Sequence, residues 1–384
     1  MTDIVIVAAR RTPQGRLLGS LAMQSAADLG TVAAQAALEP IGADAIDQVI
    51  VGNVLSAGLG MNVARQIALR AGIAQAVPAF SVNMMCGSGM QAVVLAAQLI
   101  RAGEAQVVLC GGTESMSNAP HLLQRAPESC RVGSDGRIDH MLRDGLTDPL
   151  AGEHMGLTAE RLAGMYRITR EEQDACAEHS HAAYAAAHAA GAFARELVVM
   201  LQLARDEHPR PGLTAAKLGT LKPAFSASGT ITPGNASGIN DGAAMLVITS
   251  AANAGKRGWA VLARIRAWSA VGCDPATMGL GPVHAIRRLE ERSGLRAADC
   301  DTIELNEAFA AQAIACQREL KLPAERVNRD GGAIALGHPI GATGARLVVH
   351  LAQRTAAGSS QRSLASLCIG GGMGLAIALD NGVA

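Results

Sequence analysis

The sequence predicts an α/β protein built from two similar halves, with a separate insertion between them. Short runs of β-forming residues alternate with helical stretches along most of the 384 residues, which is the pattern of an α/β fold. The chain also resembles itself, because residues 86–98 align with residues 341–353 and Gly89 then matches Gly344. A repeat of this length indicates two halves of the same topology.

The predicted strands occur in both halves of the chain. They are residues 4–7, 48–51, 107–109, 245–248, 260–265, 302–305, 365–368 and 375–379. Two predicted helices, 87–102 and 342–353, are apolar on nearly every face. A helix of this kind must be covered on all sides. We therefore expect two sheets to sandwich a central pair of helices.

The middle of the chain has a different composition. Residues 118–238 carry most of the histidines, many charges and little β pattern. We interpret this stretch as a loop domain inserted into the first half. The predicted domains are residues 1–117 with 239–261, residues 118–238, and residues 262–384.

Composition excludes several classes of function. The formal net charge is +0 and no basic stripe is present, so nucleic acid is not an expected partner. No apolar run approaches the roughly 18 residues of a membrane span. Residues 1–7 resemble a strand rather than a signal peptide, and the eight cysteines are scattered. We therefore expect reduced thiols and a cytoplasmic protein.

Cys86 is the strongest candidate nucleophile. It follows an apolar extended segment and directly precedes a predicted helix, where the helix dipole and free backbone N–H groups favour thiolate over thiol. Gly87 and Gly89 would let a substrate approach the backbone closely. A buried structural cysteine is the alternative and the more common fate of this residue. Two later segments favour the catalytic interpretation.

His338 and Cys368 lie in those two segments. His338 precedes Pro339 in a glycine-rich turn, and the proline stiffens the loop that aims the imidazole. Next to Cys86, this imidazole would be the general base that generates the thiolate. Cys368 ends a predicted strand before three glycines, and a thiol with a pKa near about 8.5 can exchange protons with carbon. The alternatives are a hydrogen-bonded loop histidine and a small buried cysteine.

Asn306 follows the predicted strand 302–305. Its side-chain amide could hold a water or a carbonyl oxygen, as oxyanion sites do. The structural alternative is that Asn306 caps the next helix.

Two other patterns suggest ligand sites but do not match known ones. Cys176, His179, His181 and His188 include metal-ligand residue types, but a spacing of two residues places side chains on different helix faces. An alanine-rich solvated helix is the better interpretation. The glycines of residues 337–344 lack the ending of a phosphate-binding loop and the dinucleotide fingerprint. We predict no metal site and no permanently bound cofactor.

Taken together, the motifs resemble the thiolase family, in its acetoacetyl-CoA thiolase branch. The matching segments run the length of the chain: 11–13, 83–92, 111–120 (GGTESMSNAP), 154–156, 235–244, 306–310, 331–346 and 368–374. The resemblance implies a five-layer αβαβα fold made of two duplicated halves with an inserted loop domain. This expectation agrees with the internal repeat and with the two helices predicted to be buried.

The resemblance also implies catalytic roles. Cys86 would accept the acyl group, His338 would activate it, and Cys368 would remove a proton from the methyl of a second acetyl-CoA. One oxyanion site would use His338 and a water held by Asn306. The other would use the backbone N–H groups of Cys86 and Gly370. The implied reaction is a reversible Claisen condensation through an S-acyl cysteine, with ping-pong kinetics.

Coenzyme A enters this scheme as a substrate and not as a resident cofactor. The residues that the resemblance assigns to its binding are Ser237, His154, Met155, Arg210, Phe225 and Met278. Ser237 would contact the pantetheine arm, and Arg210 would lie near the adenine. Met155 and Met278 would crowd the acyl end and favour a short chain. The implied partners are acyl-CoA substrates and further copies of the chain, in a homodimer or in a homotetramer joined through the loop 115–125.

Four different functions stay open at this point. A thiolase of broader chain length, such as one for β-ketoadipyl-CoA, would use the same residues. A decarboxylating ketoacyl synthase would combine its cysteine with two histidines or with histidine and asparagine, whereas Cys368 occupies the late glycine-rich position here. A non-catalytic lipid- or CoA-binding relative would not need Cys86, His338 and Cys368 intact. The hypothesis of a nucleotide-dependent oxidoreductase rests on the number of glycines alone.

Overall fold

The computed structural model describes residues 2–123 and 136–382. Two expectations fall partly on residues 124–135. The predicted tetramer loop includes Gln124 and Arg125, and Cys130 is one of the eight cysteines. These three residues lie outside the described part of the chain. All seven cysteines within the described part are free thiols, as expected.

Strands of both halves form one large sheet, and four short strands of the insertion form two small ones. The strands are β1 (Ile4–Arg11), β2 (Gly15–Arg16), β3 (Gln48–Gly52), β4 (Ala79–Val82), β5 (Val107–Ser115), β6 (His121–Leu123), β7 (Arg137–Asp139), β8 (Thr147–Asp148), β9 (Glu153–His154), β10 (Asn240–Ser250), β11 (Ala263–Gly272), β12 (Thr302–Leu305), β13 (Arg362–Ile369) and β14 (Met373–Asp380).

Helices connect the strands and fill the layers between and outside them. They are α1 (Ala26–Leu38), α2 (Val63–Arg70), α3 (Ser88–Ala102), α4 (Met155–Met165), α5 (Arg170–Ala189), α6 (Ala215–Gly219), α7 (Ala251–Arg257), α8 (Gly281–Ser293), α9 (Ala310–Leu320), α10 (Ala333–Leu336) and α11 (Ile340–Ala356).

Each of the eight predicted strands overlaps an observed one, but β1, β5, β10 and β13 are longer than predicted, and the predicted strand 260–265 overlaps β11 only at residues 263–265. Six strands of the described residues were not predicted: β4 and the five short strands β2, β6, β7, β8 and β9. β4 was not predicted, because its four residues are half exposed and show no apolar alternation. β10 starts at Asn240, within a segment that was interpreted as a turn. Its glycine- and alanine-rich start lacks β propensity, but it pairs with β5 from Asp241 to Thr249. Ladder pairing of this kind overrides local preference.

The expectation of two separate sheets is wrong in one respect. The large sheet is continuous, in the order β12-β13-β14-β11-β1-β10-β5-β3-β4. The two halves join where β1 and β11 pair antiparallel, with Ile4 opposite Ile265 and Ile6 opposite Ala263. The sequence shows no signal for this pairing, because it depends on two strand edges that are far apart along the chain.

The strand order supports the predicted duplication. In the first half the order is β4-β3-β5-β10-β1, and in the second it is β12-β13-β14-β11. A parallel bridge between Val327 and Ile303 extends the second half beyond β12. It occupies the place that β4 holds in the first half. The two halves therefore have the same order, with one strand reduced to a single bridge.

The central helices α3 and α11 meet at the two glycines that the internal repeat aligns. A Cβ on Gly89 would lie 2.8 Å from the backbone nitrogen of Ala345, and one on Gly344 would lie 2.6 Å from that of Met90. Only glycine allows backbones to approach this closely. This crossing places the N-terminal ends of both helices side by side.

Five layers result from this arrangement. Residues of α3 and α11 share one buried core with strands of both halves. Helices α1 and α2 cover the outer face of the first half, in a second core. Helices α8 and α9 cover the outer face of the second half, in a third. The predicted αβαβα fold is confirmed.

Residues 118–238, the predicted insertion, contain α4, α5 and α6 and the small pairs β6–β7 and β8–β9. The interpretation of α5 as a solvated helix is only half right, because one face buries Ser180, His181 and Tyr184. Across residues 2–123 and 136–382, the acidic, cysteine and histidine side chains form no group of three or more that could hold a metal. In the same residues, no helix has both the length and the apolar character to cross a membrane.

Candidate active site

A cavity of about 430 Å³ opens beside the paired ends of the central helices. Ten of the eleven residues predicted for the site line it. They are Cys86, His338, Cys368, Gly370, Ser237, His154, Met155, Arg210, Phe225 and Met278. Asn306 is the exception, because it is fully buried. The volume is in the range of cavities that take small-molecule ligands.

Each half of the fold contributes part of the site. Cys86 lies in the turn between β4 and α3, and His338 lies just before α11. Cys368 is close to the end of β13, and Gly370 follows it in the turn to β14. Because α3 and α11 cross at their glycines, the loops that precede both helices open on the same cavity.

The environment of Cys86 differs from the sequence expectation. Burial raises the pKa of its thiol to about 11, although the nearby backbone N–H groups of Gly370 and of Cys86 itself act to lower it. The nearby carboxylate of Glu114 raises it further. Desolvation of the charged form therefore outweighs the stabilising N–H groups. The resting group is a thiol and not a thiolate.

The turn that presents Cys86 is strained and braced. Met85 has a φ of 48°, a left-handed conformation that side chains other than glycine rarely adopt. The Ser88 hydroxyl donates to the carbonyl of Met85 at 2.6 Å and accepts from the backbone N–H of Met84 at 2.9 Å. Strain of this kind is typical of functional turns. Sequence reasoning assigned no role to Ser88, although it lies two residues after the cysteine.

His338 is held at both its backbone and its ring. Its backbone N–H donates to Oδ1 of Asn240 at 3.0 Å, and its Nδ1 lies 2.7 Å from Oγ1 of Thr343. Burial lowers the pKa of the imidazole to about 3, and the positive charge of Arg346 adds to this. His338 is therefore neutral at rest, and one of its two ring nitrogens carries a lone pair.

Cys368 is the second thiol of the cavity and is 1 % exposed. Burial raises its pKa well above the usual value, and interaction with Cys86 raises it further. Cys86 and Cys368 line the same cavity. A thiolate on one sulfur therefore disfavours a thiolate on the other.

Asn306 does not cap the following helix, so the structural alternative is wrong. The capping position of α9 is Phe309, and no side chain caps that helix. The Oδ1 and Nδ2 atoms of Asn306 are buried and have no hydrogen-bond partner within the described residues. Buried polar groups without a protein partner are typically satisfied by a bound water or a ligand. The side chain is therefore suited to hold a water behind the cavity.

The apolar part of the cavity is built around Phe225. The His154 ring stacks on Phe225 with centroids 4.6 Å apart, and a Cβ on Gly156 would lie 2.3 Å from the phenyl ring. Phe225, Met155 and Met278 belong to one buried apolar cluster with Cys368. The aromatic pair thus forms one wall, and the two methionine side chains pack near the thiol.

Met155 and Met85 both lie close to Gly370. A Cβ added to Gly370 would lie 3.5 Å from Sδ of Met155 and 3.9 Å from the side chain of Met85. The backbone N–H of Gly370 is near enough to lower the pKa of Cys86, so the two thioethers border the space next to the sulfur. Met85 was not predicted as a site residue.

Glu114 is a buried group next to the site that sequence reasoning did not select. It accepts hydrogen bonds at 2.8–3.2 Å from the Asn53 side chain and from the backbone N–H groups of Val54, Leu55 and Gly341. Burial raises its pKa to about 7. Because Gly341 belongs to α11, this carboxyl group joins the second half of the fold to the loop after β3.

Comparisons with known proteins identify the family of the chain. Residues 4–252 match the model of the thiolase N-terminal domain, and residues 259–381 match that of the thiolase C-terminal domain. This chain belongs to the thiolase family. Among its relatives, an acetyl-CoA acetyltransferase of Escherichia coli is 49% identical over 99% of both chains. An acetyl-CoA acetyltransferase of Pseudomonas aeruginosa is 48% identical, also over 99% of both.

Solved thiolase structures superpose on the whole chain. The acetyl-CoA acetyltransferase of Bacillus anthracis is 40% identical and has a TM-score of 0.95 over 99% of both chains. Human mitochondrial 3-ketoacyl-CoA thiolase in complex with CoA is 41% identical and has a TM-score of 0.96, over 100% of this chain and 98% of the other. This thiolase therefore has the family fold over its full length.

Proposed function

We propose that this thiolase transfers acetyl groups between CoA thioesters. It condenses two acetyl-CoA to acetoacetyl-CoA, or reverses that reaction by thiolysis of short-chain 3-ketoacyl-CoA. The observation that carries the proposal is the convergence of two thiols and one neutral imidazole, Cys86, Cys368 and His338, on one cavity. Relatives named acetyl-CoA acetyltransferase at 49% and 48% identity support the acetyl substrate.

The first half-reaction forms the acyl enzyme. His338 takes the thiol proton of Cys86, and the sulfur attacks the carbonyl carbon of acetyl-CoA. The bond from that carbon to the CoA sulfur breaks, and Cys86 becomes S-acetylated. Proton balance requires a donor for the departing CoA thiolate. The Cys368 thiol is suited to this, because it lines the same cavity.

The second half-reaction forms the carbon–carbon bond. The Cys368 thiolate removes a proton from the methyl of a second acetyl-CoA, and the resulting carbanion attacks the acetyl carbon on Cys86. The Cys86 sulfur departs and recovers its proton from His338. Both thiols and the imidazole return to their resting forms. Each step in reverse gives thiolysis.

Charge builds up on a thioester oxygen twice in this cycle, and each oxyanion needs fixed donors. For the oxygen on the Cys86 adduct, the donors would be the N–H groups of Cys86 and Gly370, which lie near the sulfur. For the second thioester, the donors would be His338 and a water on Asn306. The unpaired polar atoms of Asn306 support this assignment.

CoA would lie along the cavity with its thioester at Cys86. Ser237, His154 and Phe225 line the cavity outside the thiols and would hold the pantetheine arm, and Arg210 would meet the adenine end. Because Met155 and Met278 pack beside Cys368, we propose a short acyl chain. We further propose that the protein is cytoplasmic and forms a homodimer or a homotetramer. Light scattering of the purified protein tests the oligomeric state.

Thiolysis assays test the function directly. The purified protein is mixed with acetoacetyl-CoA and free CoA, and acetyl-CoA formation is measured. We expect turnover with acetoacetyl-CoA that falls as the 3-ketoacyl chain is lengthened to six and eight carbons. Equal or better rates with the longer chains would instead favour a thiolase of broader range.

Two further measurements distinguish a thiolase from a ketoacyl synthase and from a non-catalytic CoA-binding protein. A decarboxylating ketoacyl synthase would release carbon dioxide from a malonyl donor, whereas we expect none. A folded protein that binds CoA but forms no acetyl-CoA would contradict the enzyme proposal. Cys86→Ala is the matched control, because it removes the nucleophile and leaves the CoA-binding wall unchanged.

A further inference from the structure

We propose that Thr343 is a positioning residue that determines which nitrogen of His338 acts as the base. This inference rests on the proposed function, because it concerns how His338 receives the proton of Cys86. Both side chains are buried, with 7% exposure for His338 and 0% for Thr343. The Nδ1 atom of His338 lies 2.7 Å from Oγ1 of Thr343.

The direction of this hydrogen bond follows from a second contact of the same hydroxyl. Oγ1 of Thr343 lies 2.9 Å from the carbonyl oxygen of Pro339. A carbonyl oxygen can only accept, so the single hydroxyl hydrogen of Thr343 is directed to Pro339. The hydroxyl must then accept from His338, which places a hydrogen on Nδ1. In a neutral ring the lone pair is therefore on Nε2.

The acceptor that fixes this direction belongs to the helix itself. The Pro339 carbonyl also accepts the backbone N–H groups of Ala342 and Thr343, both at 2.9 Å. These bonds form the first turn of α11. The orientation of the Thr343 hydroxyl is thus set by the helix start and does not depend on a neighbouring side chain that could rotate.

A second brace fixes the backbone on the other side of the ring. Asn240 accepts the His338 N–H at 3.0 Å and donates to the Gly15 carbonyl at 2.8 Å. Gly337 has a φ of 105°, and a Cβ there would lie 2.3 Å from Cγ of Asn240. The histidine is therefore held between β10 and α11, and the contact of its Nδ1 atom is with the Thr343 hydroxyl.

A hydroxyl partner suits a base that must return its proton. A carboxylate on Nδ1 would favour the imidazolium form and raise the pKa of the ring. The neutral hydroxyl orients the ring without adding negative charge. Nε2 therefore takes the proton of the Cys86 thiol and gives it back when the sulfur departs, while the hydrogen on Nδ1 stays in place.

The test compares Thr343→Val, which keeps the shape and removes the hydroxyl, with Thr343→Ser, which keeps the hydroxyl. We expect Thr343→Val to lower kcat of acetoacetyl-CoA thiolysis about 10- to 100-fold, with KM within about twofold of the wild-type value. We expect Thr343→Ser to restore most of kcat. Thr302→Val is the control, because that buried hydroxyl has no partner within the described residues.

Nitrogen NMR of the ¹⁵N-histidine-labelled protein reports the tautomer separately from activity. The signals of the His338 ring are assigned by subtracting the spectrum of the His338→Gln variant from that of the wild-type protein. We expect hydrogen on Nδ1 in the wild type and a mixture or the opposite tautomer in Thr343→Val. If the wild-type ring carries its hydrogen on Nε2, the proposal is wrong, and this result does not require that Thr343→Val folds. An unchanged kcat and tautomer in folded Thr343→Val overturns it as well. If the wild-type protein shows the expected tautomer but no thiolysis, the proposed function is wrong, whereas the inference about Thr343 is not contradicted.

Discussion

The backbone N–H of Gly370 lies near the sulfur of Cys86 and lowers the pKa of its thiol, although the two residues belong to opposite halves of the chain. The contact exists because the turn after β13 and the turn before α3 meet at one cavity. The same N–H is suited to hold the oxygen of an acyl group on that sulfur. The proposed nucleophile and one of its proposed oxyanion donors are therefore supplied by different repeats.

The raised pKa of Cys86 predicts how the free enzyme reacts with alkylating agents. A thiol whose pKa is raised to about 11 holds little thiolate at neutral pH, and that fraction grows as pH rises. We therefore expect the rate of Cys86 alkylation by iodoacetamide to keep increasing through pH 9. Mass spectrometry of the Cys86 peptide measures this rate without interference from the other cysteines. A plateau at or below pH 8 would contradict the assigned environment.

Asn306 is predicted to matter for turnover and not for stability. Its side-chain atoms have no partner within the described residues, so Asn306→Leu removes no protein hydrogen bond. We expect kcat to fall about 10²- to 10³-fold, as for the loss of an oxyanion donor. The free energy of unfolding should change by less than about 1 kcal/mol, because the penalty of burying an amide is also removed.

Asn235→Leu is the matched control for that experiment. Asn235 is equally buried, but its side chain bonds to Asp174, Thr230 and Thr232 at 2.8–3.1 Å. We expect this variant to lose about 1–3 kcal/mol or more of stability. Chemical denaturation measures both variants. A large loss of stability in Asn306→Leu would show that the residue is mainly structural.

Arg11 is predicted to stabilise the attachment of residues 196–206 to β1. Its guanidinium contacts Glu196 at 2.6 Å and Asp206 at 2.7 Å, and all three side chains are buried. Arg11→Leu leaves two carboxylates without this partner, so we expect a loss of about 3–5 kcal/mol in the free energy of unfolding.

An exposed ion pair provides the comparison for Arg11. Arg70 contacts Asp28 at 2.9 Å, with side-chain exposures of 49% and 45%. Pairs of this kind contribute about 0–1 kcal/mol, so Arg70→Leu should change stability little. Similar losses of unfolding free energy in Arg11→Leu and Arg70→Leu would contradict the importance assigned to the buried contacts of Arg11.

The sequence was informative where function depends on local pattern. The segment around Cys86, the turn at His338 and the glycines after Cys368 could be selected because each combines a reactive side chain with a characteristic turn. The two aligned glycines, Gly89 and Gly344, also predicted the duplication. Their close approach across the central helices gives that pattern its physical reason.

Features that depend on distant contacts could not be predicted in the same way. The pairing of β1 with β11 has no local signal, and the raised pKa of Cys86 depends on its burial in the folded protein. Thr343 and Glu114 lay within quoted motifs, but their partners became visible only in the structure. A role for such a residue requires knowing what its side chain contacts.

Acetylation of the Cys368→Ala variant tests the central claim most directly. The variant is incubated with acetyl-CoA, and the Cys86 peptide is examined by mass spectrometry while thiolysis is measured in parallel. We predict slow acetylation of Cys86 with no carbon–carbon bond exchange, whereas Cys86→Ala should lose both. Loss of acetylation and turnover to the same extent in Cys368→Ala would contradict the separate roles of the two thiols.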